Sequence, residues 1–141
     1  MLLDQAIVYD IETYKTAFTF TAAELHGEKI ISFEISPYRN QAKELWHFVE
    51  WCRANKIPMI GFNNLNFDHA VIHHWFGNPG MGAEAVYQYA QRVISDDRTL
   101  PRLWVNDRLA PQIDLTCSIT LTTKPRRPVL KPFKSPCAWK T

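Results

Sequence analysis

Apolar and polar positions alternate over short segments up to position 36 and recur at helical spacing beyond it. Residues 6–12, Ala-Ile-Val-Tyr-Asp-Ile-Glu, form an apolar run that ends in carboxylates, the pattern of a buried central strand. Residues 16–25 are rich in Thr, Phe and Ala and alternate loosely. His26-Gly27-Glu28 suits a turn, and residues 29–35 alternate again before Ser36-Pro37. Three strands in an antiparallel meander are therefore expected. Residues 40–55 place Leu45, Phe48, Val49 and Cys52 on one helical face, and Lys56-Ile57-Pro58 ends that helix. Met59-Ile60-Gly61-Phe62 reads as a short buried strand broken by Asn63-Asn64. Two further helices are predicted, over 67–76 and 84–94, the first closed by Gly77-Asn78-Pro79-Gly80. Residues 96–108 are polar and irregular, a loop or insertion. Ile113-Asp114-Leu115 starts another short strand, and no internal repeat is present.

Composition narrows the class. A length of 141 residues suits one domain with one sizeable core, and 46% apolar residues place the chain among globular rather than disordered sequences. No apolar run reaches the roughly 18 residues of a membrane helix, so no membrane association is expected. The start, Met-Leu-Leu-Asp-Gln, has no basic region and leads straight into a strand, which does not read as a signal peptide. Cys52, Cys117 and Cys137 are odd in number and far apart. That argues against a disulfide framework or a zinc-thiolate site and fits a reducing cytoplasm. All 14 acidic residues lie at or before Asp114, and six basic residues follow from Lys124 onward. The main body is thus acidic, so charge alone does not point to nucleic acid.

Candidate chemistry begins with the first strand. Asp10 and Glu12 are two apart, so both project from one face with Ile11 on the other. Two carboxylates at the end of an apolar strand repel each other and are costly to desolvate. A divalent cation relieves both costs, and hard oxygen ligands favour Mg²⁺ or Mn²⁺ over zinc. The alternative is a strand running out into a polar turn. The second cluster is Gly61-Phe62-Asn63-Asn64-Leu65-Asn66-Phe67-Asp68, where a strand breaks and a helix begins. Taken alone, Asp68 is equally a helix cap or dipole partner.

Together, Asp-x-Glu-Thr at the end of strand one and Asn-x-x-Phe-Asp after strand four resemble the first two motifs of the DEDD (DnaQ-like) 3′→5′ exonucleases. The flanks Val-Tyr-Asp-Ile-Glu-Thr-Tyr and Gly-Phe-Asn-Asn-Leu-Asn-Phe-Asp are similar to the proofreading exonuclease domain of phage DNA polymerases. The resemblance covers about residues 5–115. The element order β-β-β-α-β-α-α-β is also ribonuclease H-like. The expected fold is an α/β, mixed sheet, three antiparallel strands then parallel ones, with flanking helices and incomplete at the C-terminus. The resemblance implies hydrolysis at a DNA 3′ end by two Mg²⁺ or Mn²⁺ ions about 3.5–4 Å apart. By position, Asp10 would bridge the ions, Glu12 would bind the nucleophile-side ion, and Asp68 the leaving-group ion. Thr13 and Tyr14 would sit near the terminal nucleotide, and Asn64 and Phe67 would line the same cleft. A polymerase domain is the implied partner, and host cytoplasm the implied location.

The resemblance stops short of a third motif, Tyr-x-x-x-Asp or His-x-x-x-x-Asp. Asp96, Asp97, Asp107 and Asp114 have no Tyr four before and no His five before. Asp114, in Ile-Asp-Leu, reads as structural. Residues 118–141 read as a separate Pro-rich basic tail after a partial exonuclease domain over 1–117. The tail either touches a nucleic-acid backbone or is not the family's sequence. A one-base shift in plausible codons turns residues 119–125 into His-His-Phe-Asp-Asn-Lys-Ala. It turns 129–141 into a string of helix formers. A frameshift near residues 116–118 that truncates a longer product is therefore expected, with poor stability because one covering helix is lost. A catalytically impaired fragment that retains metal or nucleic-acid binding is the competing expectation, and an RNA-directed exonuclease a third.

Other candidates read as packing. His69 and His73 are four apart on a helix without an evident third zinc ligand, and are expected to flank the cleft or face solvent. Trp46, Trp51 and Trp75 fall in helices as core or rim residues. Cys52 lies on an apolar face and reads as core.

Overall fold

The computed structural model describes residues 3–116, so the expected tail over 118–141 lies outside the described residues. The strands are β1 (Ile7–Thr13), β2 (Phe18–Glu24), β3 (Ile30–Ile35), β4 (Met59–Gly61) and β5 (Gln112–Asp114). The helices are α1 (Ala42–Ala54), α2 (Asp68–Gly77) and α3 (Ala83–Ile94), with short 3-10 turns at Leu3–Gln5 and Val105–Asp107. The strands form one mixed sheet in the order β3-β2-β1-β4-β5. β1, β2 and β3 pair antiparallel, while β4 runs parallel to β1 and β5 parallel to β4. The architecture is α/β, three antiparallel strands extended by two parallel ones.

Strict alternation in β1 sets the layers. Ile7, Tyr9 and Ile11 are buried, whereas Val8, Asp10 and Glu12 are exposed. The buried face continues across the register into Phe18, Phe20 and Ala22 of β2 and Phe33 and Ile35 of β3. Onto it pack Leu45, Val49 and Cys52 of α1, Val71, Ile72 and Trp75 of α2, and Val86 and Ala90 of α3. Phe20 is the hub, with ring centroids 5.6 Å from Tyr9, 6.4 Å from Phe33 and 5.9 Å from Phe48. Edge and offset ring contacts of this kind add to simple burial.

Helix ends follow local chemistry. After α1, Lys56 takes φ 51°, its N–H reaches Arg53 O at 3.3 Å, and the Ile57 N–H reaches Cys52 O at 2.9 Å. This is the Schellman arrangement, and Pro58 beyond it cannot resume the helix. α2 stops where the Asn78 N–H reaches Trp75 O at 2.8 Å, just before Pro79.

The elements agree with the sequence reading within one or two residues, with instructive exceptions. The last strand spans Gln112–Asp114 and so begins one residue before the segment Ile113-Asp114-Leu115 suggested. Gln112 is a fully buried amide, which a polarity pattern does not recognise as strand. His69 was expected at a cleft or in solvent and is instead 1% exposed. Trp75 is core, Trp46 stacks on Phe76 with centroids 5.3 Å apart, and Trp51 is half-exposed. Trp51 borders a cleft of about 610 Å³ at the start of β1, floored by Ile7, Ala22 and Phe48. Among the described residues no helix is long and apolar enough to cross a membrane.

Candidate functional site

The site forms where β1 outruns its neighbour. β4 pairs only with Ile7 and Val8, so the rest of β1 has a free edge on that side. The chain leaves β4 at Gly61, turns through residues 62–67, and starts α2 at Asp68. The turn is tight: Asn63 takes φ 57°, and a Cβ on Gly61 would lie 2.7 Å from the Asn64 Cβ. Only glycine fits at 61, and Asn is among the residues that tolerate the left-handed region at 63. The turn brings Asp68 to the open edge of β1, where its Oδ1 accepts the Ile11 N–H at 3.2 Å.

Asp68 is buried, and its carboxyl is pushed up to about 6. Burial is the main cause, and the neighbouring Asp10 adds to it by charge and hydrogen bonding, while the Ile11 N–H pulls the other way. Asp10 and Asp68 thus form one carboxyl pair drawn from the two sequence clusters. The pair offers hard oxygen donors in a partly desolvated place, a fit for Mg²⁺ or Mn²⁺. Glu12 shares the Asp10 face but is exposed, and its Oε2 accepts the Tyr14 hydroxyl at 3.2 Å. Among the described residues no three His, Cys, Asp or Glu side chains converge on one point.

The remaining residues singled out from the sequence divide in two. Thr13 is half-buried and Tyr14 exposed at the end of β1, beside Glu12. Phe67 packs partly against the core. Asn64 is fully buried and faces inward rather than into a cleft. Its Nδ2 donates to Gln112 Oε1 at 3.0 Å and to the Tyr9 oxygen at 3.4 Å, and the Tyr9 hydroxyl donates to the same Gln112 Oε1 at 2.8 Å. Burial raises the Tyr9 hydroxyl far above its ordinary range, so it remains a donor.

Asp114 is also buried. Its Oδ1 accepts the Asn63 N–H at 2.9 Å and the Thr116 N–H at 3.0 Å, and its Oδ2 accepts the Leu65 N–H at 3.2 Å. Gln112 and Asp114 therefore belong to the structure around the site, although only Asp114 stood out in the sequence. An inward-facing pair two apart on a strand was the available signal. His69 and His73 lie with ring centroids 5.8 Å apart, and burial chiefly drives His69 down to about 3, so it is uncharged at neutral pH. No family model, curated protein or solved structure matches the chain.

Proposed function

We propose that the chain carries the metal site of a ribonuclease H-like, DEDD-type 3′→5′ exonuclease domain acting on a DNA 3′ end, as in the proofreading part of a phage-type polymerase. The observation that supports this most is the meeting of Asp10 with Asp68, with Asp68 held in place by the Ile11 N–H from 57 residues away in sequence. When bound, a pair of Mg²⁺ or Mn²⁺ ions supplies an activated water and stabilises the departing 3′ oxygen. Asp10 and Asp68 would hold the cations, and Glu12, exposed on the same strand face but not converging with them, would have to leave the Tyr14 hydroxyl to join as a third ligand. Below about pH 6, Asp68 keeps its proton, so cation binding there releases one. Tyr14, exposed next to Glu12, offers an aromatic face to the terminal base.

Purified chain incubated with 3′-labelled single-stranded DNA and Mg²⁺ or Mn²⁺, beside Asp10→Ala, tests the reading. Shortening that Asp10→Ala abolishes supports it, and no shortening by either protein rules it out. A parallel 3′-labelled RNA lane decides the sugar. The second reading, a fragment that binds metal or nucleic acid without turnover, is favoured by the missing third motif after residue 70. It is met if Mn²⁺ binds and is lost in Asp10→Ala while the DNA stays intact.

A further inference from the structure

We propose that Asp114 is a positioning residue for the Asp10–Asp68 pair, acting through the backbone of the turn that delivers Asp68. The proposal rests on the reading of that pair as a metal site.

Asp114 is 3% exposed and ends β5, where it is the register partner of Gly61 at the end of β4. Its carboxylate collects the N–H groups of Asn63, Leu65 and Thr116 and the Thr116 hydroxyl. Two of these donors belong to the turn between β4 and α2. One of them, Asn63, is in the left-handed region that side chains rarely adopt. A buried carboxylate satisfied by several N–H donors is a strong, directional anchor. Here it fixes the backbone on both sides of Asn64. The Asn64 carbonyl then accepts the His69 N–H at 2.7 Å, which sets the first turn of α2 and with it Asp68. Gln112, two residues earlier on the same strand face, grips the Asn64 side chain. β5 therefore holds the turn twice, once by backbone and once by side chain. The backbone hold determines where the Asp68 carboxylate stands against Ile11 and Asp10. A group that orients a metal ligand from behind typically changes metal affinity when removed.

The test uses the full chain and two readouts. The first is the Ile11 amide proton shift by ¹⁵N-edited NMR, which reports the Asp68 hydrogen bond without any metal. The second is Mn²⁺ affinity, from loss of the free-ion electron paramagnetic resonance signal. Asp68→Ala serves as the reference for a lost acceptor. Asp114→Asn keeps one acceptor oxygen but turns an N–H toward that of Leu65. It is expected to move the Ile11 amide in the direction of Asp68→Ala, although Asp114 makes no hydrogen bond to Ile11, and to weaken Mn²⁺ binding about tenfold. If Asp114→Asn loses its dispersed spectrum, Thr116→Val, which removes a single hydroxyl donor, carries the test with a smaller shift in the same direction. An unmoved Ile11 amide in a folded variant overturns the proposal while the metal reading stands, provided Asp68→Ala still abolishes Mn²⁺ binding. Failure of the wild-type chain to bind Mn²⁺ removes the metal reading and the proposal with it.

Discussion

Asp68 Oδ1 accepts the Ile11 N–H at 3.2 Å, so the first residue of α2 completes the unpaired edge of the central strand. The same carboxyl sits beside Asp10 and is pushed from 3.8 to about 6, first by burial. One group thus serves the backbone and the carboxyl pair, and its ionisation is felt by both.

The pH dependence follows from that shift. The folded chain holds a proton on Asp68 that the unfolded chain releases near 3.8. The stability this proton contributes is complete below that value and is lost as pH rises through about 6. With metal chelated, the melting temperature of the wild type should fall relative to Asp68→Asn across that window. Asn keeps an acceptor for Ile11, offers an N–H to Asp10 and does not titrate. Parallel melting curves for the two proteins would remove the basis for the shift.

Cation binding should reverse that penalty. At neutral pH, Mg²⁺ or Mn²⁺ at about a hundredfold over its dissociation constant stabilises by about 2.7 kcal/mol. Calorimetry should show a rise in melting temperature that chelation cancels and that Asp10→Asn and Asp68→Asn both lack. A rise that persists in both variants would place the ion elsewhere.

Much of this was legible in the sequence because it depends on short-range pattern. Period-two alternation put Asp10 and Glu12 on the face opposite Ile11, and the Gly-Phe-Asn-Asn break located the turn before Asp68. The inward orientation of Asn64 was not legible. An asparagine in a turn is ordinarily a surface residue, and its burial depends on Gln112, 48 positions away. Gln112 was equally hidden, since a buried amide is acceptable only with a partner that no local window contains. His69 was misplaced because its position on α2 faces the core, while its polarity suggested solvent.

The core offers a contrast in magnitude. Phe20 is fully buried between Tyr9, Phe33 and Phe48. Phe20→Ala should cost about 3–5 kcal/mol in urea unfolding. Ile30, 73% exposed at the start of edge strand β3, should change stability by less than about 0.5 kcal/mol when replaced by Ala. Comparable losses at the two positions would mean that Ile30 is covered.

Burial also silences one thiol. Cys52 is fully buried on α1, and burial pushes it up to about 12. Thiolate is the reactive form, so Cys52 should escape alkylation by iodoacetamide in the native protein and react once urea unfolds it. Peptide mapping by mass spectrometry distinguishes it from Cys117 and Cys137. Rapid native labelling at Cys52 would show that α1 opens readily.

Unequal strand lengths have a final consequence. β4 has three residues and β1 has seven, and β4 pairs with the first two of those seven. The donor at Ile11 is available to Asp68 because no neighbouring strand claims it. A lineage that lengthened β4 by a few paired residues would zip the notch shut and evict the α2 carboxylate, with every acidic side chain still encoded. Chemistry at this position is therefore erasable by insertion as readily as by substitution, and a sequence comparison restricted to the carboxylates would miss the loss.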